Sequence, residues 1–271
     1  MEWGRVKSIL IGVFLVVNIF LITNYLQENK TSFKIREDVI ENTVLVLKNN
    51  EIHIDTSIIP RRMQDVRIFD IANRFETPQA ATVAFREKAQ NVGSELFNPS
   101  FVTFGDDYFE YKSDYETSIV AQNENDAATH SNNIVSILKI NENMLLNTEV
   151  LLNDDGFFSV NITPEFEGLK ILDTYLNIKF GAQTSIYGYN WLCGNITPGG
   201  MASIQPITEI LINFATSGMK HNVSINKIIL GYYVGRTQEG ISTVTAVPVW
   251  KLEISDGSCC YYDARNGDLL E

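Results

Sequence analysis

The sequence predicts an α+β protein: an N-terminal transmembrane helix, then two tandem subdomains of antiparallel sheet with packed helices. Three observations carry this expectation. An apolar run near the start is long enough to cross a bilayer. Stretches after Thr77-Pro78 and Pro206 repeat apolar residues at helical spacing. The C-terminal end alternates apolar and polar residues up to Asp256-Gly257, the pattern of a β-hairpin. Helices set among hairpin-linked strands favour α+β over a doubly wound parallel sheet.

Taken in order, the first element is the anchor. Arg5 and Lys7 precede a run from Ile9 to Leu26 with few polar interruptions, at Asn18, Thr23 and Asn24. As a helix, residues 8–26 would be roughly 28 Å long, against a hydrocarbon core of about 30 Å. Its Val, Ile, Leu and Phe side chains favour insertion by about 4–8 kcal/mol. The run exceeds a signal-peptide core, and Thr23-Asn24-Tyr25-Leu26-Gln27 offers no small-residue cleavage signal. Positive charge before the run and Glu28 after it predict a cytoplasmic tail, 1–7, a membrane helix, 8–26, and the remainder outside. Ile11, Leu15, Asn18, Ile22 and Tyr25 follow spacings of three and four and would share one stripe. The Asn18 amide would either hydrogen-bond a partner helix or bond its own helix backbone.

Beyond the anchor, 27–155 and 156–271 are read as the two subdomains. A polar stalk leads into a helix with Ile40, Val44 and Leu47 on one face, ended by Asn49-Asn50. Ile52 to Ile54 and Val66 to Ile71 read as strands. Thr77-Pro78 opens a helix with Ala81, Ala84, Phe85, Ala89 and Val92 inside and Gly93 at its end. Phe101, Thr103 and Tyr108 to Tyr111 suggest strands, Gln122 to Asn133 a polar loop, and Ile134 to Ile140 another strand. Met144 to Leu152 fits helix or strand, and Asn153-Asp154-Asp155-Gly156 is a turn. A helix is expected after Thr163-Pro164, using Phe166, Leu169, Leu172 and Leu176 and closed by Gly181. Another follows Pro206, using Ile207, Ile210, Leu211 and Phe214 and ended by Gly218. Lys227 to Val234 and Val244 to Ser255 are strands. In the latter, Trp250, Leu252 and Ile254 share one face, opposite Lys251, Glu253 and Ser255. Ser258 to Asp263 returns, and Asn266-Gly267 turns again.

Composition narrows function. Lys and Arg total 21 against 33 Asp and Glu, a net charge of −12. Phosphates would be repelled, so nucleic acid is not an expected partner. Of the three cysteines, Cys193 stands alone, and Cys259 and Cys260 are neighbours whose side chains would leave a strand on opposite faces. A bridge from Cys193 to either stays open, but there is no disulfide framework.

Catalytic signatures are absent from the sequence. There is no H-E-x-x-H, G-x-S-x-G, C-x-x-C or phosphate loop. His53, His130 and His221 are scattered, with His130 expected to be solvated in a polar loop. Asp106-Asp107 and Asp154-Asp155 fit turn chemistry better than acid–base pairs, and Gly199-Gly200 fits a loop. Asn161, Asn195 and Asn222 are sequons that matter only in a glycosylating host. No catalytic residue, cofactor or metal is therefore expected.

Two segments together carry a family resemblance. Met1-Glu2-Trp3-Gly4-Arg5-Val6-Lys7-Ser8-Ile9, with Phe14-Leu15 and Asn18-Ile19-Phe20-Leu21, resembles the start of the YycI family. Ile229-Leu230-Gly231-Tyr232-Tyr233, Val247-Pro248-Val249-Trp250-Lys251 and Tyr261-Tyr262-Asp263-Ala264-Arg265-Asn266-Gly267 resemble its C-terminal part, which is loosely shared with the sister YycH family and PepSY-type domains. The resemblance implies a membrane-anchored, non-catalytic regulator in a Gram-positive bacterium. Such a protein acts with a YycH-like partner on the sensor histidine kinase of an essential two-component system governing cell-wall metabolism. Contacts among transmembrane helices are implied. Trp3, Arg5 and Lys7 would then set the depth and direction of the anchor, and Asn18 would face a partner helix. The alternative is an anchored exported enzyme or peptidase-inhibitor-like module acting on peptides or wall polymers. A cleft with convergent polar groups and perturbed titratable residues would favour the alternative. An exposed apolar patch or an open sheet edge would favour the regulator.

Overall fold

The computed structural model describes residues 3–28, 32–72, 102–105, 108–113, 118–138, 145–191, 195–218, 221–235 and 242–270. These residues form an α+β fold with two large sheets, a two-stranded ribbon and four α-helices. The helix expected at 77–93 and the pair Asp106-Asp107 lie outside them, as does Cys193.

Helix α1, Trp3–Glu28, begins the chain. A two-stranded ribbon follows, β1 (Ser32–Lys34) antiparallel to β3 (Arg62–Gln64). Between them lie α2 (Glu37–Asn49) and β2 (Ile52–Ile54). Glu37 and Asp38 in the first turn of α2 and Lys48 in its last complement the helix dipole. Ile40, Thr43 and Leu47 face inward, with Val44 half-buried beside them. That is the face read from the sequence.

One large sheet has the order β12-β4-β14-β13-β2. Its strands are β4 (Val66–Ala72), β12 (Ile196–Ala202), β13 (Val223–Tyr233) and β14 (Thr243–Ile254), with β2 parallel to β13 at one edge. β14 has β13 along one side and two neighbours in succession along the other. Thr243 to Ala246 pair with β4, and Val249 to Glu253 pair with β15 (Cys259–Asp263). Pro248, which has no N–H to give, lies at the changeover. Helix α4, Ile207–Thr216, buries Ile207, Ile210, Leu211 and Phe214 completely. Trp250 is 1% exposed, and its indole N–H donates to the Gln205 carbonyl just before α4 at 3.2 Å. Leu252 and Ile254 are buried beside it. The tight turn at Asp256-Gly257 is present, with Gly257 at φ 84°.

The other large sheet has the order β5-β6-β11-β10-β8-β7, with β9 also on β8. Its strands are β5 (Val102–Phe104), β6 (Tyr108–Lys112), β7 (Leu145–Leu152), β8 (Phe158–Phe166), β9 (Leu169–Lys170), β10 (Tyr175–Lys179) and β11 (Ser185–Tyr189). Helix α3, Glu124–Leu138, packs against β7 and β8.

Four expectations need correction. Gln122 to Asn133 is not a loop, nor is Ile134 to Leu138 a strand: α3 covers most of the first and all of the second. The Asn123 side-chain carbonyl caps this helix, accepting from the Asp126 N–H at 2.9 Å. Ala127, Ser131, Ile134, Val135 and Leu138 face inward. Ser131 is buried because its hydroxyl donates to the Ala127 carbonyl at 2.7 Å, which hides a polar residue inside an apolar stripe. Second, residues 163–181 hold no helix. Glu167 and Gly168 have φ of 49° and 85°, which makes a two-residue hairpin turn and breaks any helical run. Leu169 and Leu176 fall in separate strands, with Leu172 in the turn between them. Third, Gly199-Gly200 lies within β12, where the register slips between Pro198 and Met201. Fourth, the strands do not divide at 155. β7 and β8 flank it and pair throughout, and β4 joins β12 and β14 from the far end of the chain.

Candidate functional site

The residues singled out for the expected anchor lie on α1, a 26-residue helix. Trp3 is 72% exposed, with the Lys7 ammonium 5.8 Å from its ring centroid. Described side chains run without a gap from Leu10 to Phe20. Ile11 and Leu15, of the expected stripe, are exposed, as are the apolar residues around them. The Asn18 amide donates to the Phe14 carbonyl at 2.7 Å, so its N–H is engaged one turn back on its own helix. The side chains of Arg5, Ile22 and Tyr25 lie outside the described ones. Among the described residues no helix is long and apolar enough to cross a membrane.

A second cluster, not singled out from the sequence, joins the two large sheets. Leu172 N–H donates to the Tyr232 carbonyl at 2.8 Å, and Ile171 forms a parallel bridge with Tyr232. Phe69 packs on Phe166 and Tyr232, at ring-centroid separations of 4.1 and 4.7 Å. The Tyr232 hydroxyl donates to the Arg67 carbonyl at 2.8 Å, and Arg67 pairs with Glu167 at 3.1 Å. At the centre is Asp173, a buried carboxylate. It accepts from the backbone N–H groups of Val234 and Gly235, and Asn190 Nδ2 donates to the carbonyls of Asp173 and Gly235. Burial pushes the Asp173 carboxyl up to about 6, against the pull of these donors. Burial also raises the Tyr232 phenol, with the Glu167 charge adding and Arg67 opposing.

This arrangement clamps the two large sheets together. A general acid or base must reach a substrate proton, whereas Asp173 is 8% exposed and its oxygens are already taken by the protein. The open clefts lie elsewhere. One, of about 580 Å³, runs between α2, β2 and β13 and holds Lys48, His53 and Asp55. Asp55 is turned to its own chain, accepting from the Ser57 N–H at 2.9 Å, and that bond lowers its carboxyl. A smaller cleft, of about 290 Å³, contains Lys112, Lys179 and Asp155. Asp155 accepts from the Lys179 ammonium at 2.8 Å and from the Phe157 N–H at 3.1 Å, which hold its carboxyl low. Neither cleft brings a perturbed acid and base together.

The remaining candidates are structural. His130 is not in a solvated loop. It sits in α3, half-buried, 6.1 Å from the Phe180 ring, with its Nδ1 buried and unpartnered among the described residues. Cys259 and Cys260 lie on opposite faces of β15, one exposed and one buried. No group of three or more potential metal ligands occurs among the described residues.

No family model matches the chain, and no curated protein does. Among solved structures, an uncharacterized protein from Eubacterium rectale aligns with it at 10% identity and a TM-score of 0.47. The alignment covers 85% of this chain and 98% of that one.

Proposed function

We propose that this chain is a non-catalytic, membrane-anchored regulator. Its folded part lies outside the cytoplasm and biases a sensor histidine kinase of a cell-wall two-component system, together with a YycH-like partner. The observation that carries the reading is the apolar surface of α1. Leu10, Phe14, Val16 and Phe20 are each more than 60% exposed, and their neighbours are nearly as bare. Fully burying one such side chain gains about 1.5–3 kcal/mol, so a run of them left in water is strongly disfavoured. Lipid or a partner helix supplies the missing cover, and the sequence extends the apolar run on both sides, from Ile9 and through Leu26.

The segments behind the family resemblance give further support. The three C-terminal ones form successive neighbouring strands of one sheet, with Leu230 opposite Trp250 and Trp250 opposite Tyr262 on β13, β14 and β15. The regulatory reading also fits clefts without paired acid and base. The test is deletion of the chain in cells carrying a reporter for the cell-wall regulon, alongside fractionation of the tagged chain. The reporter should shift, and the chain should stay with membranes through high salt and alkali. A chain that washes off, or an unmoved reporter, would overturn the proposal.

A further inference from the structure

Sheet edges expose unpaired N–H and C=O groups and invite another strand, so proteins normally guard them. Among the described residues the two large sheets end in four strands, β2, β5, β12 and β7, and β15 lies as a further outer strand on β14. β2 and β5 are three residues long. β12 carries Pro198 and a register slip. The outer side of β15 is met by the chain end, through the Leu270 N–H to Tyr261 carbonyl bond and the Asp263 N–H to Asp268 carbonyl bond. The fourth edge, β7, has none of these guards. It runs eight residues in unbroken register with β8, without proline, lysine or bulge. Leu145 and Leu152 on it are each 67% exposed, and Leu151 is 40% exposed.

We propose that β7 pairs with β7 of a second copy of this chain, antiparallel, with Thr148 on the two-fold axis. This goes beyond the regulatory reading and rests on it only for the membrane setting in which the chain is tested. The strand is its own complement about Thr148. Reading outward, Asn147 faces Glu149 of the second copy, Leu146 faces Val150, and Leu145 faces Leu151. Leu145, Leu146, Val150 and Leu151 each meet an apolar residue, Leu152 lies beyond the matched span, and each pair lies on a common face, because the separations from Thr148 match in parity. Glu149 is the only charged side chain on the strand and meets an amide instead of its own copy. The Lys170 ammonium donates to Asn147 Oδ1 at 3.0 Å, so a cation already stands beside the position Glu149 of the second copy would take. A two-fold, isologous contact is the ordinary way for identical subunits to close without forming a fibre. The product is one sheet continuous across both copies.

The geometry gives a sharp test. Directly opposed residues on antiparallel strands have Cβ atoms about 4.5–5.5 Å apart, while diagonal neighbours are about 7–8 Å apart. A disulfide spans the first and not the second. Single variants Asn147→Cys, Thr148→Cys and Glu149→Cys are made in the full chain, oxidised in native membranes and run on non-reducing gels against the unmodified chain. Thr148→Cys should give the strong dimer band, and adding Leu151→Lys should remove it. Light scattering of the detergent-purified natural chain should give the mass of a dimer, and Leu151→Lys alone that of a monomer. A band no stronger at Thr148 than at its neighbours, a crosslink to a chain of different mass, or a monomeric natural chain would each overturn self-pairing.

Discussion

Asp173 and Gly235 are joined across the two large sheets: the Gly235 N–H donates to Asp173 Oδ2 at 2.8 Å. The turn after β9 is thereby locked to the end of β13. Because the bond is made by a buried carboxylate, the lock has a pH dependence of definite sign.

The Asp173 carboxyl lies at about 6 in the folded chain, above its ordinary value of 3.8, because burial disfavours the charge. The folded state therefore holds this proton more tightly than the unfolded state. The group's stabilising contribution is complete below about pH 4 and is lost as pH rises toward 6. The total is on the order of 3 kcal/mol. Denaturant unfolding of the full chain at several pH values should show the stability difference between the natural chain and Asp173→Asn shrinking over this window. A pH-independent difference would remove Asp173 as its source.

Gly231 tests the same junction through packing. A Cβ there would lie 2.6 Å from Leu172 Cγ and 2.7 Å from the Lys170 carbonyl oxygen. The leucine can turn, but the backbone carbonyl cannot. Gly231→Ala should destabilise the purified chain by about 1–3 kcal/mol, seen as a lower unfolding midpoint. Gly200→Ala, where a Cβ meets nothing within 4 Å, should have far less effect.

Trp250→Ala should cost about 3–5 kcal/mol, because it empties a large buried site and leaves the Gln205 carbonyl without its indole donor. Thermal unfolding of the full chain gives the value. An unchanged midpoint would mean that the space refills, contrary to a close-packed core.

If α1 anchors a regulator as proposed, replacing residues 8–26 with polyleucine should keep the chain in the membrane but abolish regulation of the wall reporter at matched protein levels. Polyleucine retains apolar length and loses any specific packing face. Asn18→Leu should cause a partial loss, since an interhelical hydrogen bond is worth only about 1 kcal/mol. One Asn18 N–H bonds Phe14, which leaves the second N–H and the amide oxygen to meet a partner helix. Full activity of the polyleucine chain would move recognition to the outer domain.

A cysteine at Asn125, exposed on α3, should react with a membrane-impermeant thiol reagent on intact cells. Labelling only after lysis would overturn the proposed outward orientation, which rests on Arg5 and Lys7.

The sequence by itself determined the elements whose pattern is local and whose punctuation is strong. Proline before and glycine after Ile207–Thr216 gave α4, the alternation around Trp250 gave the buried face of β14, and Asp256-Gly257 gave the hairpin. Tertiary structure decided the rest. Near-helical spacing from Phe166 to Leu176 proved to be a turn between strands, because Glu167 and Gly168 take positive φ and the leucines then find different neighbours. Helix α3 was hidden because a buried Ser131 bonds its own backbone and so reads as polar. The clamp at Asp173 draws on residues more than sixty positions apart, with the Val234 and Gly235 N–H groups supplied by a distant strand. Likewise, which strand remains an open edge follows from sheet order, and no local pattern encodes that order. Hydrophobic periodicity reports which way a side chain faces; which partner it meets is settled only when the long loops close and the competing pairings are compared in free energy.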